Sequence, residues 1–171
     1  MSTDRTQPVD GARVRAATLR DADDIAAIYN HAVLNTTATF DLDPQTADDR
    51  RRWLADETTR AALVAEIDGS VCGWSSLVRW SEREAYERTA EASVYVAPSA
   101  QRCGLGLSLS AATLDAARRL DLHVVIAQIC TENVAGLALA ERLGFDRVGV
   151  LREVGFKFGR WLDVVVCQRL V

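Results

Sequence analysis

The residues with the clearest chemical potential lie in the stretch 91–107. Alternating side chains over 93–96 predict a strand, and the proline that follows predicts its end. Gly104 and Gly106 come next, in a short predicted loop before a long Ala- and Leu-rich helical pattern. A strand that leads through glycines to a helix start predicts a phosphate site, because the backbone can approach closely and the free amides of the first turn attract an anion. We therefore expect this stretch to hold a phosphate-bearing small molecule, with Glu91 upstream as a candidate for chemistry.

Length and composition favour one domain with a substantial core. The chain has 171 residues, 49% of them hydrophobic, and we expect a single domain over residues 13–171 after a flexible tail over residues 1–12. A net charge of −4 without any basic run argues against nucleic-acid binding. No apolar stretch approaches the length of a membrane span, and the polar first residues lack the apolar core of a signal peptide. We therefore expect a cytoplasmic protein with neither nucleic acid nor membrane as a partner.

The four cysteines and two histidines do not predict a metal site. Cys72, Cys103, Cys130 and Cys167 are far apart, and no Cys-x-x-Cys pair is present. All but Cys103 lie in strand-like apolar runs and are expected to be buried thiols, which suits a reducing compartment.

The remaining patterns alternate between helix and strand and predict an α/β (α+β) fold with the order βααβββαβαββ. The predicted strands are Val14–Ala17, Ala61–Ile67, Val71–Val78, the strand containing Glu91, Val124–Ile129, Asp146–Glu153 and Leu162–Arg169. The predicted helices are one after Thr18 with an apolar face from Ala22 to Val33, Thr46–Asp56, one marked by Leu107, Ala111, Leu114 and Ala117, and Asn133–Leu143, which Gly144 closes.

The element order and the segment Gln101-Arg-Cys-Gly104-Leu-Gly106 resemble the GCN5-related N-acetyltransferase (GNAT) superfamily. Its signature, Gln/Arg-x-x-Gly-x-Gly/Ala at a helix start, implies backbone amides that hold the pyrophosphate of acetyl-coenzyme A (acetyl-CoA). Asn133 opens the next helix and Ala-Glu-Arg-Leu-Gly-Phe145 closes it, both at positions that the superfamily uses. The resemblance implies a GNAT fold, with a mixed, mostly antiparallel central sheet flanked by helices.

A closer resemblance covers nearly the whole chain from Val14 onward. It is to the phosphinothricin and methionine sulfoximine N-acetyltransferases, which are cytoplasmic, usually homodimeric enzymes that acetylate the α-amino group of small glutamate-like amino acids. The matching segments are Tyr29-Asn-His-Ala-Val, Thr39-Phe40, Arg83-Glu-Ala-Tyr86, Glu91-Ala-Ser-Val-Tyr-Val96 and Gly155-Phe-Lys-Phe-Gly-Arg-Trp161.

The resemblance also implies roles for single residues. Glu91 stands where the family has the base that accepts the amine proton; a carboxylate on a solvated strand face or in a salt bridge is the alternative. Acetyl-CoA is expected at Val94, Tyr95, Val96, Gln101, Arg102, Cys103, Gly104, Leu105, Gly106, Leu107 and Asn133. The acceptor is expected at Phe40, Arg83, Tyr86 and Trp161, with Arg79 as a nearby competitor of Arg83, because a guanidinium suits a carboxylate or phosphinate. An aromatic ring that fills the core is the alternative for Phe40. A plain helix cap is the alternative for Asn133, and solvated arginines that balance nearby glutamates are the alternative for Arg79 and Arg83.

Ala140 and Phe158 depart from the family pattern. The superfamily often has Tyr at the place of Ala140 and the phosphinothricin enzymes have His, either of which could protonate the departing thiolate; Phe158 stands where those enzymes often have His. Alanine cannot donate a proton, but a coenzyme A thiolate can take one from water. We therefore expect an acetyl-CoA-dependent N-acetyltransferase for a small amino acid or analogue. An acetyltransferase for another amine, such as a polyamine or a protein N-terminus, and a non-catalytic acyl-CoA-binding module remain as alternatives.

Overall fold

The structure, a computed structural model, describes residues 11–171, so residues 1–10 of the expected tail lie outside the described part. The order βααβββαβαββ is confirmed, with three short 3₁₀ turns between elements. The strands are β1 Arg13–Ala16, β2 Thr59–Ile67, β3 Ser70–Arg79, β4 Thr89–Val96, β5 Val124–Cys130, β6 Asp146–Lys157 and β7 Arg160–Leu170. The helices are α1 Ala22–Asn35, α2 Ala47–Ala55, α3 Leu105–Arg119 and α4 Val134–Arg142.

The seven strands form one sheet in the order β1-β2-β3-β4-β5-β7-β6. Every pairing is antiparallel except β4 with β5, so the expected mixed and mostly antiparallel sheet is confirmed. On one face α1 and α2 pack around the buried Trp74. On the other face α3 packs on β2, β3 and β4 through buried Leu105, Leu109 and Leu114. The site lies between these two layers.

Local signals account for most element ends. Thr46 caps α2 by accepting the amide hydrogen of Asp49, and the Asp49 side chain accepts the amide hydrogen of Thr46. Asp68 and Gly69 both have positive φ values, 50° and 79°, as the two-residue hairpin between β2 and β3 requires. Gly144, with φ of 73°, ends α4 as expected.

The pairing of β4 with β5 is short, and this opens the sheet. Only three pairs join the two strands, Thr89 with Val124, Ala90 with Val125 and Glu91 with Ile126. Beyond Glu91, β4 continues beside β3 to Val96 and β5 continues beside β7 to Cys130. The strands therefore diverge into a wedge-shaped gap that begins at Glu91.

Four expectations were wrong, concerning the end of β6, Gly106, Ala111 and Cys72. β6 runs to Lys157 rather than Glu153, and the turn to β7 is only Phe158–Gly159, both with positive φ. Gly106 lies inside α3 rather than in a loop, and Ala111 is exposed; the core face of α3 carries Leu105, Leu109, Thr113, Leu114, Ala116 and Ala117. Cys130 and Cys167 are buried as expected, whereas Cys72 is half-buried.

Candidate active site

Three adjoining cavities follow the gap between β4 and β5. The first, of about 610 Å³, lies at the start of α3, and we call it the helix-end cavity. The second, of about 110 Å³, lies between α3, α4 and the diverging strands, and we call it the middle cavity. The third, of about 220 Å³, contains Glu91 in its wall and is called the Glu91 cavity. Val94 and Asn133 border the first two cavities, and Ser93 and Tyr95 border the last two, so together they form one cleft.

The start of α3 has the backbone geometry of an anion site. Gly104 precedes the helix with φ of 84°, and within residues 11–171 no side chain caps the first amides of α3. Those amides have no partner inside a helix, and a left-handed residue followed by helical ones turns successive N–H groups toward a common point. Arg102 also has a positive φ, 62°, a conformation that costs energy in a residue other than glycine. This cluster of amides suits a diphosphate.

The predicted donor-binding residues fall into two groups. Val94, Val96, Gln101, Arg102, Gly106 and Asn133 line the helix-end cavity, and Tyr95 lines the other two cavities. In contrast, the Cys103 thiol donates to the carbonyl of Ala100 at 2.7 Å, and Leu105 is buried in the core. Cys103, Gly104, Leu105 and Leu107 do not line the three cavities.

Asn133 caps α4 and also borders the cleft. Its Oδ1 accepts the amide hydrogen of Gly136 at 2.9 Å. The same residue lines both the helix-end and the middle cavity. The capping role is therefore present in the structure, and the position is also available for the pantetheine arm of a donor.

Glu91 lies where the gap between β4 and β5 begins. It is half-buried, and Gln128 Nε2 on β5 donates to its Oε1 at 3.2 Å. Burial raises the pKa of Glu91, and the hydrogen bond from Gln128 opposes that change. In the part of the chain that the structure describes, no basic side chain forms an ion pair with it. A partly desolvated carboxylate in a cleft is suited to accept a proton near neutral pH.

The loop between α1 and α2 forms the far wall of the Glu91 cavity. Thr37, Ala38, Thr39 and Phe40 line it. Tyr29 donates to Asp41 Oδ2 at 2.8 Å and lies 2.8 Å from the Thr39 hydroxyl. These contacts fix the loop over Glu91.

The end of β6 supports the same loop. The buried Lys157 donates through Nζ to the Thr39 carbonyl at 2.7 Å, and burial lowers the pKa of this lysine. The ring of Phe40 lies against the backbone of Gly155, so closely that a β-carbon there would overlap it. The two sequence segments Thr39-Phe40 and Gly155–Trp161 are therefore in direct contact.

Tyr95 joins the cleft to the aromatic core. Its ring packs against Tyr29 and Trp74, with centroids 5.1 and 4.7 Å away. Its hydroxyl lies 3.4 Å from the Ala38 carbonyl, and burial raises its pKa well above the ordinary range for tyrosine. This hydroxyl is therefore a weak proton donor.

Four of the five predicted acceptor-binding residues do not line the Glu91 cavity. Arg79 pairs with Ala90, which packs on α3, so its side chain is on the opposite face of the sheet from Glu91; its Nη2 lies 3.1 Å from Glu87 Oε2. Arg83 and Tyr86 are exposed in the connection between β3 and β4. Trp161 is 61% exposed and packs against Phe156. Only Phe40 of the five lies in the cavity wall.

Sequence reasoning did not identify Ser93, Gln128 and Cys130, all of which line the Glu91 cavity. Gln128 had a usable signal, since it interrupts the apolar strand Val-Val-Ile-Ala-Gln-Ile-Cys. Ala140 is buried and lines the middle cavity, so the departure from the family pattern lies in the cleft itself.

Two kinds of feature are absent from residues 11–171, a metal-binding cluster and a membrane-spanning helix. No group of three or more His, Cys, Asp or Glu residues there is arranged to hold a metal ion. None of the described helices combines the length and apolar character that a bilayer crossing requires.

Comparison with known proteins agrees with the geometry. A family model described as "Acetyltransferase (GNAT) domain" matches residues 14–166. The chain is 40% identical over 157 residues to the L-amino acid N-acyltransferase MnaT of Escherichia coli, covering 91% of each chain. It is 39% identical over 163 residues to the L-methionine sulfoximine/L-methionine sulfone acetyltransferase of Pseudomonas aeruginosa, covering 92% of this chain and 93% of the relative. Among solved structures, a phosphinothricin acetyltransferase from Sinorhizobium meliloti in complex with AcCoA superposes with a TM-score of 0.90 at 30% identity, covering 94% of this chain and 89% of that one.

Proposed function

Since the chain belongs to the GNAT acetyltransferase family, we propose that it transfers the acetyl group of acetyl-CoA to the amino group of a small amino acid or analogue. The acceptor class is supported by the names of its relatives, one of which acts on methionine sulfoximine and methionine sulfone and another on phosphinothricin. One structural observation carries the proposal: a half-buried carboxylate stands in the same cleft as an uncapped helix start suited to a diphosphate.

The donor is proposed to lie along the cleft. Its diphosphate would bind the amides from Arg102 to Leu107, with the Arg102 and Gln101 side chains at the helix-end cavity. Its pantetheine arm would follow the open edge of β4, along residues 94–96, past Asn133. Unpaired backbone groups of a diverging strand suit the amides of such an arm, because they are available as hydrogen-bond partners. This course brings the thioester toward Glu91.

The transfer is proposed to be direct, with both substrates bound together. Glu91 accepts one proton of the acceptor ammonium, directly or through one water, and the free amine attacks the thioester carbonyl. The nitrogen of the tetrahedral intermediate then loses a second proton to water as the C–S bond breaks. The departing thiolate takes a proton from water, because Ala140 offers none. Much of the rate comes from holding amine and thioester side by side in the cleft.

Thiol release from acetyl-CoA across a panel of amines tests this function. We expect turnover with methionine sulfoximine, methionine sulfone or phosphinothricin. Turnover only with polyamines or peptides would point instead to another acetyltransferase, and donor binding without turnover to a non-catalytic module. Glu91→Gln is expected to lower kcat by about 10²- to 10⁴-fold with unchanged acetyl-CoA affinity. Glu57→Gln, an exposed carboxylate after α2, is the matched control.

We further propose that the enzyme acts as a homodimer through the β6–β7 hairpin. This hairpin forms one edge of the sheet, and its exposed apolar side chains include Val148, Val150, Leu151, Val154, Phe156, Phe158 and Trp161. Patches of this kind mark contact surfaces, and a second copy is the occupant we propose. Trp161 belongs to this patch and could then contact an acceptor across the interface.

Light scattering on the pure protein tests the dimer. The expected mass is twice that of one chain, and Phe156→Glu should give a monomer with a higher KM for the acceptor. A monomeric wild-type protein would refute this part of the proposal alone. A cytoplasmic location is also proposed, since the donor is an intracellular metabolite and the four cysteines are free thiols.

A further inference from the structure

Gln128 occupies a particular place relative to Glu91. Glu91 pairs with Ile126, which is the last residue of β5 that pairs with β4. Gln128 follows two residues later, so its side chain is on the same face of the sheet as Ile126 and Glu91. A diagonal neighbour of this kind is within reach of a long side chain, and Gln128 Nε2 indeed lies 3.2 Å from Glu91 Oε1. The contact spans the gap immediately beyond the point where the strands separate.

Few other groups near Glu91 could hold its carboxylate by a hydrogen bond or an ion pair. The titratable groups that border the Glu91 cavity within the described chain are Tyr95 on β4 and Cys130 on β5. Behind the loop wall, Asp41 accepts from Tyr29, and Lys157 of β6 donates to the Thr39 carbonyl. Among the described residues, the side-chain hydrogen bond found for the Glu91 carboxylate is the one from Gln128.

An amide has two properties that suit this position. It does not ionise between pH 4 and 10, so it cannot itself exchange protons with the substrate. As a donor to Oε1 it stabilises the charged form of Glu91, in opposition to the burial that raises the pKa of that carboxylate. One oxygen is thereby held, and the other is left for the acceptor amine.

We propose that Gln128 is a positioning residue for acetyl transfer, which holds the Glu91 carboxylate across the gap between β4 and β5 and directs its second oxygen toward the acceptor amine. This rests on the proposed function, in which Glu91 is the base. The residue thus belongs to the acceptor half of the reaction, although it lies on the strand opposite the base.

The pH dependence of kcat/KM for the acceptor tests the proposal, because its acidic limb reports the base of the free enzyme. Gln128→Leu keeps the size and removes the donor. We expect it to lower kcat/KM about tenfold and to move the acidic limb to higher pH, since the charged form of Glu91 loses its hydrogen bond. Gln128→Glu places a second carboxylate beside the first and should move the limb further in the same direction. Acetyl-CoA affinity and melting temperature should not change.

Two controls separate the possible failures. Gln168→Leu makes the same substitution at an exposed position of β7 that pairs with Ile126, and it should leave the pH profile unaltered. A normal profile in Gln128→Leu, with Glu91→Gln still inactive, would overturn the role of Gln128 and leave the proposed function intact. A uniform loss of rate with an unmoved limb and a lower melting temperature would show a structural role and also overturn it. Full activity in Glu91→Gln would overturn the proposed base itself.

Discussion

Replacing Gly155 by alanine should move Phe40 out of the wall of the Glu91 cavity and slow acetyl transfer while donor binding stays normal. The φ of Gly155 is not in the left-handed region, so alanine fits the backbone and the added methyl group is the whole perturbation. An added β-carbon would lie 3.1 Å from Phe40 Cζ and closer than 3.0 Å to two other ring carbons. Phe40 must therefore give way.

The size of the effect follows from that overlap. Carbon atoms in contact are normally about 3.5–4.0 Å apart, so the ring edge has to retreat by more than roughly 1 Å. Overpacking of this kind costs about 1–3 kcal/mol, which corresponds to a fall of about 2–12 °C in melting temperature for a chain of this size. A displacement of about 1 Å in a positioning wall can cost up to about 10²-fold in rate. We expect kcat/KM for the acceptor to fall by about 10- to 100-fold.

Steady-state kinetics and thermal melts measure both quantities. Gly149→Ala is the matched control, because Gly149 lies on the same strand, has no positive φ and has no atom within 4 Å of an added β-carbon. In a Phe40→Ala background the methyl group has nothing to displace, so Gly155→Ala should then cost little, and the two changes should not add. Wild-type kinetics in Gly155→Ala, or equal losses with and without the Phe40 ring, would refute the reasoning.

Two further predictions concern stability and the donor site. Arg15 holds the pKa of Asp21 at about 2 against an ordinary 3.8, so the ionised carboxylate contributes about 2 kcal/mol that is fully present above pH 4 and is lost as pH falls through 2. Asp21→Asn should lower the free energy of unfolding by that amount at pH 7 and weaken its dependence on pH below 4, as measured by circular dichroism. The exposed Asp24→Asn should behave as wild type. Asn133→Ala should cost about 1 kcal/mol through the lost cap on the Gly136 amide, while Asn133→Asp should keep that cap. If Asn133 also binds the pantetheine arm, both variants should raise the KM for acetyl-CoA; a normal KM in Asn133→Asp would leave the cap as its sole role.

Sequence signals that act over a few residues predicted their structures well. The hairpin at Asp68–Gly69, the helix stop at Gly144 and the Asn133 cap each depend on local conformational preferences, and all three are present. The element order followed from them. The predicted strand ended at Glu153 because the residues after it combine glycine with a lysine, a composition typical of turns. In the structure Lys157 is buried by contact with a distant loop.

The candidate site was harder to predict, because strand register brings its parts together. Glu91 was identified from its segment, but its neighbour Gln128 is 37 residues away and meets it only through the parallel pairing of β4 and β5. Arg79 was assigned to the acceptor, and only the pairing with Ala90 shows that it points to the other face. The contact between Phe40 and Gly155 likewise depends on tertiary structure, and no local pattern reports it.

The short pairing of β4 with β5 also bears on how the domain holds together. Within residues 11–171, three residue pairs are the only ladder between a four-stranded part, β1 to β4, and a three-stranded part, β5 to β7. A donor bound in the middle cavity would contact both strands, because residues 92–95 of β4 and 127–129 of β5 line that cavity. Donor binding should therefore stabilise the contact between the two parts, by an amount that grows as RT ln(1 + [L]/Kd). Hydrogen exchange at residues 92–96 and 127–130 should therefore slow together when acetyl-CoA is added, as one cooperative unit that exists only in the complex.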